Sequence, residues 1–149
     1  MEEHKISYKI FKILLGPIFF LYYRPKFINK KVIPKDGQII LCGNHRHILD
    51  QSFPILSTKR MLHYMAKKEY FDGKFAWFFK SAGCISVNRQ DKEEAHIAKE
   101  KAVELLKKGY AVGIFPEGTR NRTDNILIPF KFGAVKMAQE TNATIIPFA

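Results

Sequence analysis

Two of the chain's five histidines and a carboxylate crowd into residues 45–50, where "NHRHILD" follows the apolar run Ile39–Leu41. Imidazole exchanges a proton near neutral pH, and a carboxylate on one ring nitrogen fixes the tautomer that leaves the other nitrogen free as a base. On a continuous helix, five residues turn His45 and Asp50 about 140° apart, which is poor for contact. With His45 in a loop and Asp50 in the first helical turn, the carboxylate can reach back to the ring. His47 lies three residues before Asp50 and pairs with it just as easily in a helix, so spacing alone leaves two candidates for the base. A metal site is the third option, but no second cluster of His, Cys or Asp offers the remaining ligands.

A second polar loop, "FPEGTR" at 115–120, follows another apolar run. Gly118 lets backbone approach an anion closely, Thr119 can donate through hydroxyl and amide, and Arg120 presents a fork for phosphate. Glu117 is out of place in a pure phosphate cradle; orienting Arg120 or accepting from a substrate hydroxyl suits it better. A shorter loop, "NRQ" at 88–90, adds the guanidinium of Arg89. Neither GxGxxG nor GxxxxGK[ST] occurs, so dinucleotide and nucleoside triphosphate binding are not indicated.

Short apolar runs at 38–42, 61–66, 84–87, 110–115 and 144–148 read as strands, and amphipathic segments between them read as helices. The pattern predicts a short helix over 49–56 broken by Pro54, a mostly helical aromatic stretch over 69–83 and a last helix over 131–140. The clearest helix starts at Asp91, with Glu94 completing a capping-box pair. It buries Ala95, Ala98, Ala102, Leu105 and Leu106 and stops at Gly109. Alternation of this kind implies an α/β fold, a mostly parallel sheet with helices on its faces, whose ligands sit beyond the carboxyl ends of the strands. All three polar loops fall at that edge.

The chain has 149 residues, enough for one core, and a formal charge of +11. Residues 1–75 carry +8 of it, which points to an anionic partner: nucleic acid, a phosphorylated substrate or an anionic membrane. Cys42 and Cys84 lie in apolar runs without CxxC spacing and read as buried thiols, with no disulfide. The N-terminal segment has an uncharged run only from Ile13 to Tyr23, short of the ~20 residues that span a bilayer. Lys5, Lys9 and Lys12 form one stripe and Ile6, Ile10, Ile13 and Leu14 another, with Tyr22, Tyr23, Arg24 and Lys26 at the border. This predicts an amphipathic helix lying in the membrane interface over residues 1–26, kinked at Gly16-Pro17, ahead of the α/β domain over 27–149.

Four stretches together resemble the motifs of the glycerolipid acyltransferases that include 1-acyl-glycerol-3-phosphate acyltransferases. "NHRHILD" is similar to the His-x4-Asp motif, "GCISVNR" to the second, "FPEGTR" to the third without a change, and "IIPFA" to the fourth. "FKFG" at 130–133 is similar to the Phe-Lys-x-Gly that commonly follows. The resemblance implies His45 as general base oriented by Asp50, with His47 standing where serine is common. It implies that Arg89, Glu117, Gly118, Thr119 and Arg120 bind the phosphate and glycerol of the acceptor. The implied reaction moves a fatty acyl group from an acyl thioester, acyl-CoA or acyl carrier protein as co-substrate, to the hydroxyl of lysophosphatidic acid. No serine or cysteine nucleophile, metal or other cofactor is required. An anionic membrane surface is the expected partner, and the cytoplasmic face of the cell membrane the expected location. Family members are usually longer, so the expectation is a short member or a truncated one with an exposed last strand. The alternatives are a non-catalytic lipid-phosphate or membrane-binding module, or glycerol-3-phosphate or another lysophospholipid as acceptor. A nucleic-acid binder is disfavoured because the aromatic residues lie in apolar runs.

Overall fold

A computed structural model describes residues 2–149, with side chains described from residue 6 onward. Its centre is a five-stranded sheet formed by β1 (Ile39–Gly43), β2 (Leu62–Lys67), β3 (Ile85–Val87), β4 (Ala111–Ile114) and β5 (Thr144–Phe148). The spatial order is β3-β2-β4-β1-β5, and every pairing is parallel. Alternation along β1 sends Ile40 to one face and Ile39 and Leu41 to the other, all fully buried. Burial on both faces is why this strand reads as an unbroken apolar run.

The remaining elements are helices: α1 (Glu2–Tyr23), α2 (Ser52–Ser57), α3 (Glu69–Asp72), α4 (Ala76–Ser81), α5 (Lys92–Lys107) and α6 (Gly133–Thr141). One face of the sheet is covered by α5 and α6 through Ala98, Ala102, Val103, Leu106, Ala134 and Met137. Ile55 of α2 packs on the other face, and the Tyr8 hydroxyl of α1 accepts the Leu62 amide at 3.3 Å there. β1 and β4 are neighbours, yet the connection leaving β1 runs through α2 toward one face and that leaving β4 through α6 toward the other. Loops that part in this way open a crevice at the carboxyl edge, the usual ligand position in such sheets.

Several sequence expectations change at the level of elements. The helix expected over 49–56 begins only at Ser52, because the Asp50 side chain bonds backward to the Arg46 and His47 amides and holds a turn. Pro54 does not break α2; it sits in the first turn, where its missing N–H has no helical partner to lose. The aromatic stretch divides into α3 and α4 at Gly73. At α5, the Asp91 carboxylate accepts the Glu93 and Glu94 amides at 2.9 and 3.0 Å, but the Glu94 side chain goes to Lys68 Nζ at 2.8 Å, so the capping box is half made. Asp91→Ala is expected to cost about 1 kcal/mol in urea denaturation, the typical worth of such a cap. Val103 joins the buried face of this helix, whereas Ala95 and Leu105 are only partly covered.

α1 is a single helix through Gly16 and Pro17. Gly16 is buried against Leu56, so a side chain there would crowd α2. Lys12 leaves the expected basic stripe: it turns inward and donates to the carbonyls of Ile55, at 2.6 Å, and Thr58, at the end of α2. Burial lowers its pKa. The Lys5 side chain and Met1 lie outside the described residues. Ile6, Ile10, Ile13, Leu14, Ile18 and Leu21 are exposed. Only 11% of the window Ile6–Tyr23 is buried, and with a mean hydropathy of 1.3 it is by length and composition sufficient to cross a membrane. The eleven-residue count excluded that only because it stopped at Lys12.

Candidate active site

The loop leaving β1 carries His45 and Asp50, and five residues bring them together. Asp50 Oδ2 lies 3.0 Å from His45 Nδ1 and also accepts the amides of Arg46 and His47, each at 2.7 Å. A carboxylate only accepts, so Nδ1 carries the proton and Nε2 is left with its lone pair. Both side chains are mostly covered, 15% and 18% exposed. Asp50 reaches the ring from a turn rather than from a helix. The rival, His47, is exposed, and its Nδ1 accepts the Leu49 amide at 3.2 Å. Only its backbone meets Asp50.

The loop leaving β4 holds His45 from the other side. Phe115 stacks on the imidazole with centroids 4.1 Å apart and planes at 13°. Tyr64 and Phe148 flank Phe115 at 5.7 and 6.1 Å, making an aromatic floor. Gly43 has to be glycine for this floor to form, since a methyl group there would collide with the Phe148 ring. The apolar stretch with proline at 145–149 therefore enters the site as support for Phe115.

Glu117 takes a different place from the one expected. It is 2% exposed, with Oε2 accepting the His45 amide at 2.7 Å and Oε1 the Ile128 amide at 3.3 Å. Both carboxylate oxygens are thus engaged by backbone, and neither orients Arg120. The Asn121 amide donates to the His45 carbonyl at 2.6 Å. Both backbone polar groups of His45 are therefore held by the second loop. Asn121 is 3% exposed and binds Thr123 and Asn125 through its side chain, which keeps the segment beyond Arg120 folded. Sequence reasoning passed it over; "TRNR" reads as solvent-exposed and nothing in its pattern marks a buried asparagine.

Gly118 adopts φ +71°, a conformation costly for any residue with a Cβ. Its carbonyl accepts from Arg89 Nη1, which joins the third loop to the second. Thr119 is exposed and Arg120 half-buried, and among the described residues neither side chain makes a hydrogen bond or ion pair. Arg89, Thr119 and Arg120 therefore lie at one edge with donors to spare, beside the imidazole held by Asp50. Such an arrangement can accept a proton from a hydroxyl while binding an attached phosphate.

Burial pushes the Cys42 thiol up to about 11 and Cys84 to about 12, so both are protonated at neutral pH and poor nucleophiles. Alkylation by iodoacetamide at pH 8 is expected to be slow in the folded chain and fast once it is unfolded in urea, read by mass spectrometry.

Comparisons with known proteins bear on the family and the fold. The Acyltransferase family model matches residues 24–149. A 1-acyl-sn-glycerol-3-phosphate acyltransferase of Bacillus subtilis is 35% identical over 126 residues, covering 83% of this chain and 61% of its own length. The Borreliella burgdorferi protein of the same name is 35% identical over 116 residues, covering 77% of this chain and 46% of its own. The chain thus spans about half to three-fifths of these relatives. The crystal structure of the 1-acyl-sn-glycerophosphate (LPA) acyltransferase PlsC from Thermotoga maritima superposes with a TM-score of 0.67 over 97% of this chain and 71% of that one. At 18% identity that likeness establishes the fold. The chain belongs to the Acyltransferase family.

Proposed function

We propose that this chain transfers a fatty acyl group from an acyl thioester to the free hydroxyl of 1-acyl-glycerol-3-phosphate. The observation that carries the reading is the His45–Asp50 pair, 3.0 Å apart with Nε2 unbonded among the described residues, at the same edge as Arg89, Thr119 and Arg120. In the proposed step, Nε2 takes the proton of the acceptor hydroxyl as its oxygen attacks the thioester carbonyl. Asp50 stabilises the imidazolium that forms. The tetrahedral intermediate collapses, the C–S bond breaks, and the imidazolium returns the proton to the departing thiolate. The ester and a free thiol leave, and the base is restored without an acyl-enzyme. The guanidinium groups and the exposed threonine bind the acceptor phosphate, which places the hydroxyl against the base. The names of the relatives support this choice of acceptor.

A membrane location follows from the substrate and from α1. Lysophosphatidic acid is an amphiphile, and the exposed apolar side chains of α1 suit burial in the headgroup–acyl boundary. Phe19 of this helix meets Phe53 of α2 at 4.9 Å, and α2 directly follows the turn that holds Asp50. Lipid and base are joined through one short helix. Acyl-CoA and acyl carrier protein both fit the basic chain as donors, and the cytoplasmic face, where both occur, is the proposed side.

The test is acyl transfer from palmitoyl-CoA, and separately from palmitoyl-acyl carrier protein, to lysophosphatidic acid in anionic vesicles. Formation of phosphatidic acid with either donor supports the reading. A folded, vesicle-bound chain that yields none with both would leave a lipid-binding module in its place.

A further inference from the structure

Lys131 sits eleven residues beyond the "FPEGTR" loop, yet it returns to its centre. Its amide donates to the Pro116 carbonyl at 2.8 Å, which pins its backbone alongside the loop. Its side chain then folds over Gly118: a methyl group on that glycine would come within 3.0 Å of Lys131 Cδ, Cε and Nζ. Glycine is required at 118 by its positive φ, and the flexible end of the lysine lies over the space beside it. The carbonyl of the same residue accepts from Arg89. An ammonium and a guanidinium thus meet on one residue, with Arg120 two residues further along the chain.

Two carboxylates lie near this gathering, Glu117 beside Gly118 in the chain and Glu69 acting on Arg89 at a distance, and among the described residues neither forms an ion pair with it. Among the described residues Lys131 and Arg120 form no ion pair, and the buried Glu117 spends both oxygens on backbone amides. Three cations gathered with no directly paired carboxylate leave a local positive potential that a dianion relieves. We propose that the Lys131 ammonium binds the phosphate monoester of the acyl acceptor together with Arg89 and Arg120. This inference rests on the acceptor reading above. It adds a ligand from outside the four motifs, the lysine of the "FKFG" stretch.

The experiment compares the full chain with Lys131→Met, which keeps the stem and removes the charge, and with Lys131→Arg. Two ligands separate the sources of phosphate: sn-glycerol 3-phosphate in solution, titrated by NMR, and lysophosphatidic acid in vesicles, read as KM. Lys131→Met is expected to weaken both by about ten-fold or more, the effect of losing one charged hydrogen bond. The KM for palmitoyl-CoA and the melting temperature are expected to hold, and Lys131→Arg is expected to recover most of the loss. Unchanged affinity and KM in the methionine variant would overturn the proposal. So would a loss of melting temperature with both KM values rising together, which would mark the lysine as packing, and so would a parent chain that binds neither phosphate ligand. A parent chain without acyl transfer, but with glycerol 3-phosphate binding that falls in Lys131→Met and returns in Lys131→Arg, would sink the catalytic reading and leave this one standing.

Discussion

His45→Ala is expected to lower acyl transfer to lysophosphatidic acid by about 10²–10⁴-fold, the contribution of a general base. The loss belongs in kcat, because in the proposed step the ring acts on a proton and other side chains hold the phosphate. His47→Ala should leave the rate close to that of the parent chain, since among the described residues its exposed ring meets only the Leu49 amide. Asp50→Asn should fall between the two. It keeps an oxygen for the Arg46 and His47 amides but loses the charge that stabilises an imidazolium. Initial rates on vesicles with saturating palmitoyl-CoA order the three variants. A His47→Ala chain as impaired as His45→Ala would remove the assignment of the base.

Glu117→Ala carries the second large effect, and it separates a clamp from a ligand. The substitution leaves the part-buried His45 and Ile128 amides without their partner, at up to about 1–3 kcal/mol for each. It also frees the backbone of the base, and a displacement near 1 Å can cost about 10²-fold in rate. The expected result is a lower urea midpoint together with a lower kcat, and a KM for lysophosphatidic acid that moves little. If Glu117 instead touched the acceptor, as its place in the motif suggested, KM would rise and the urea midpoint would stay.

Much of this site was legible from residue types, because its strongest signals are local. Asp50 reaches His45 across five residues, Asp91 caps its own helix, and the run 144–148 is a strand as read. What could not be read depends on contacts between distant segments. Glu117 has the composition of a ligand, but the fold buries it and hands it two amides. Lys12 sits on a basic stripe by periodicity, yet the open carbonyls at the end of α2 draw it inward. Asn121 and Lys131 acquire their meaning only when the segment after Arg120 folds back on the loop that precedes it.

The hold of the second loop on His45 has a consequence for how the chain becomes competent. The Nδ1–Asp50 bond closes a loop of five residues, but the Glu117 bond to the His45 amide spans 72. Short closures form early and cheaply, whereas pairing β4 beside β1 has to wait for non-local order. During refolding from urea, far-UV circular dichroism would therefore recover first, from α1 and α5, while the base is still unanchored. Acyl transfer would return only with the last slow phase.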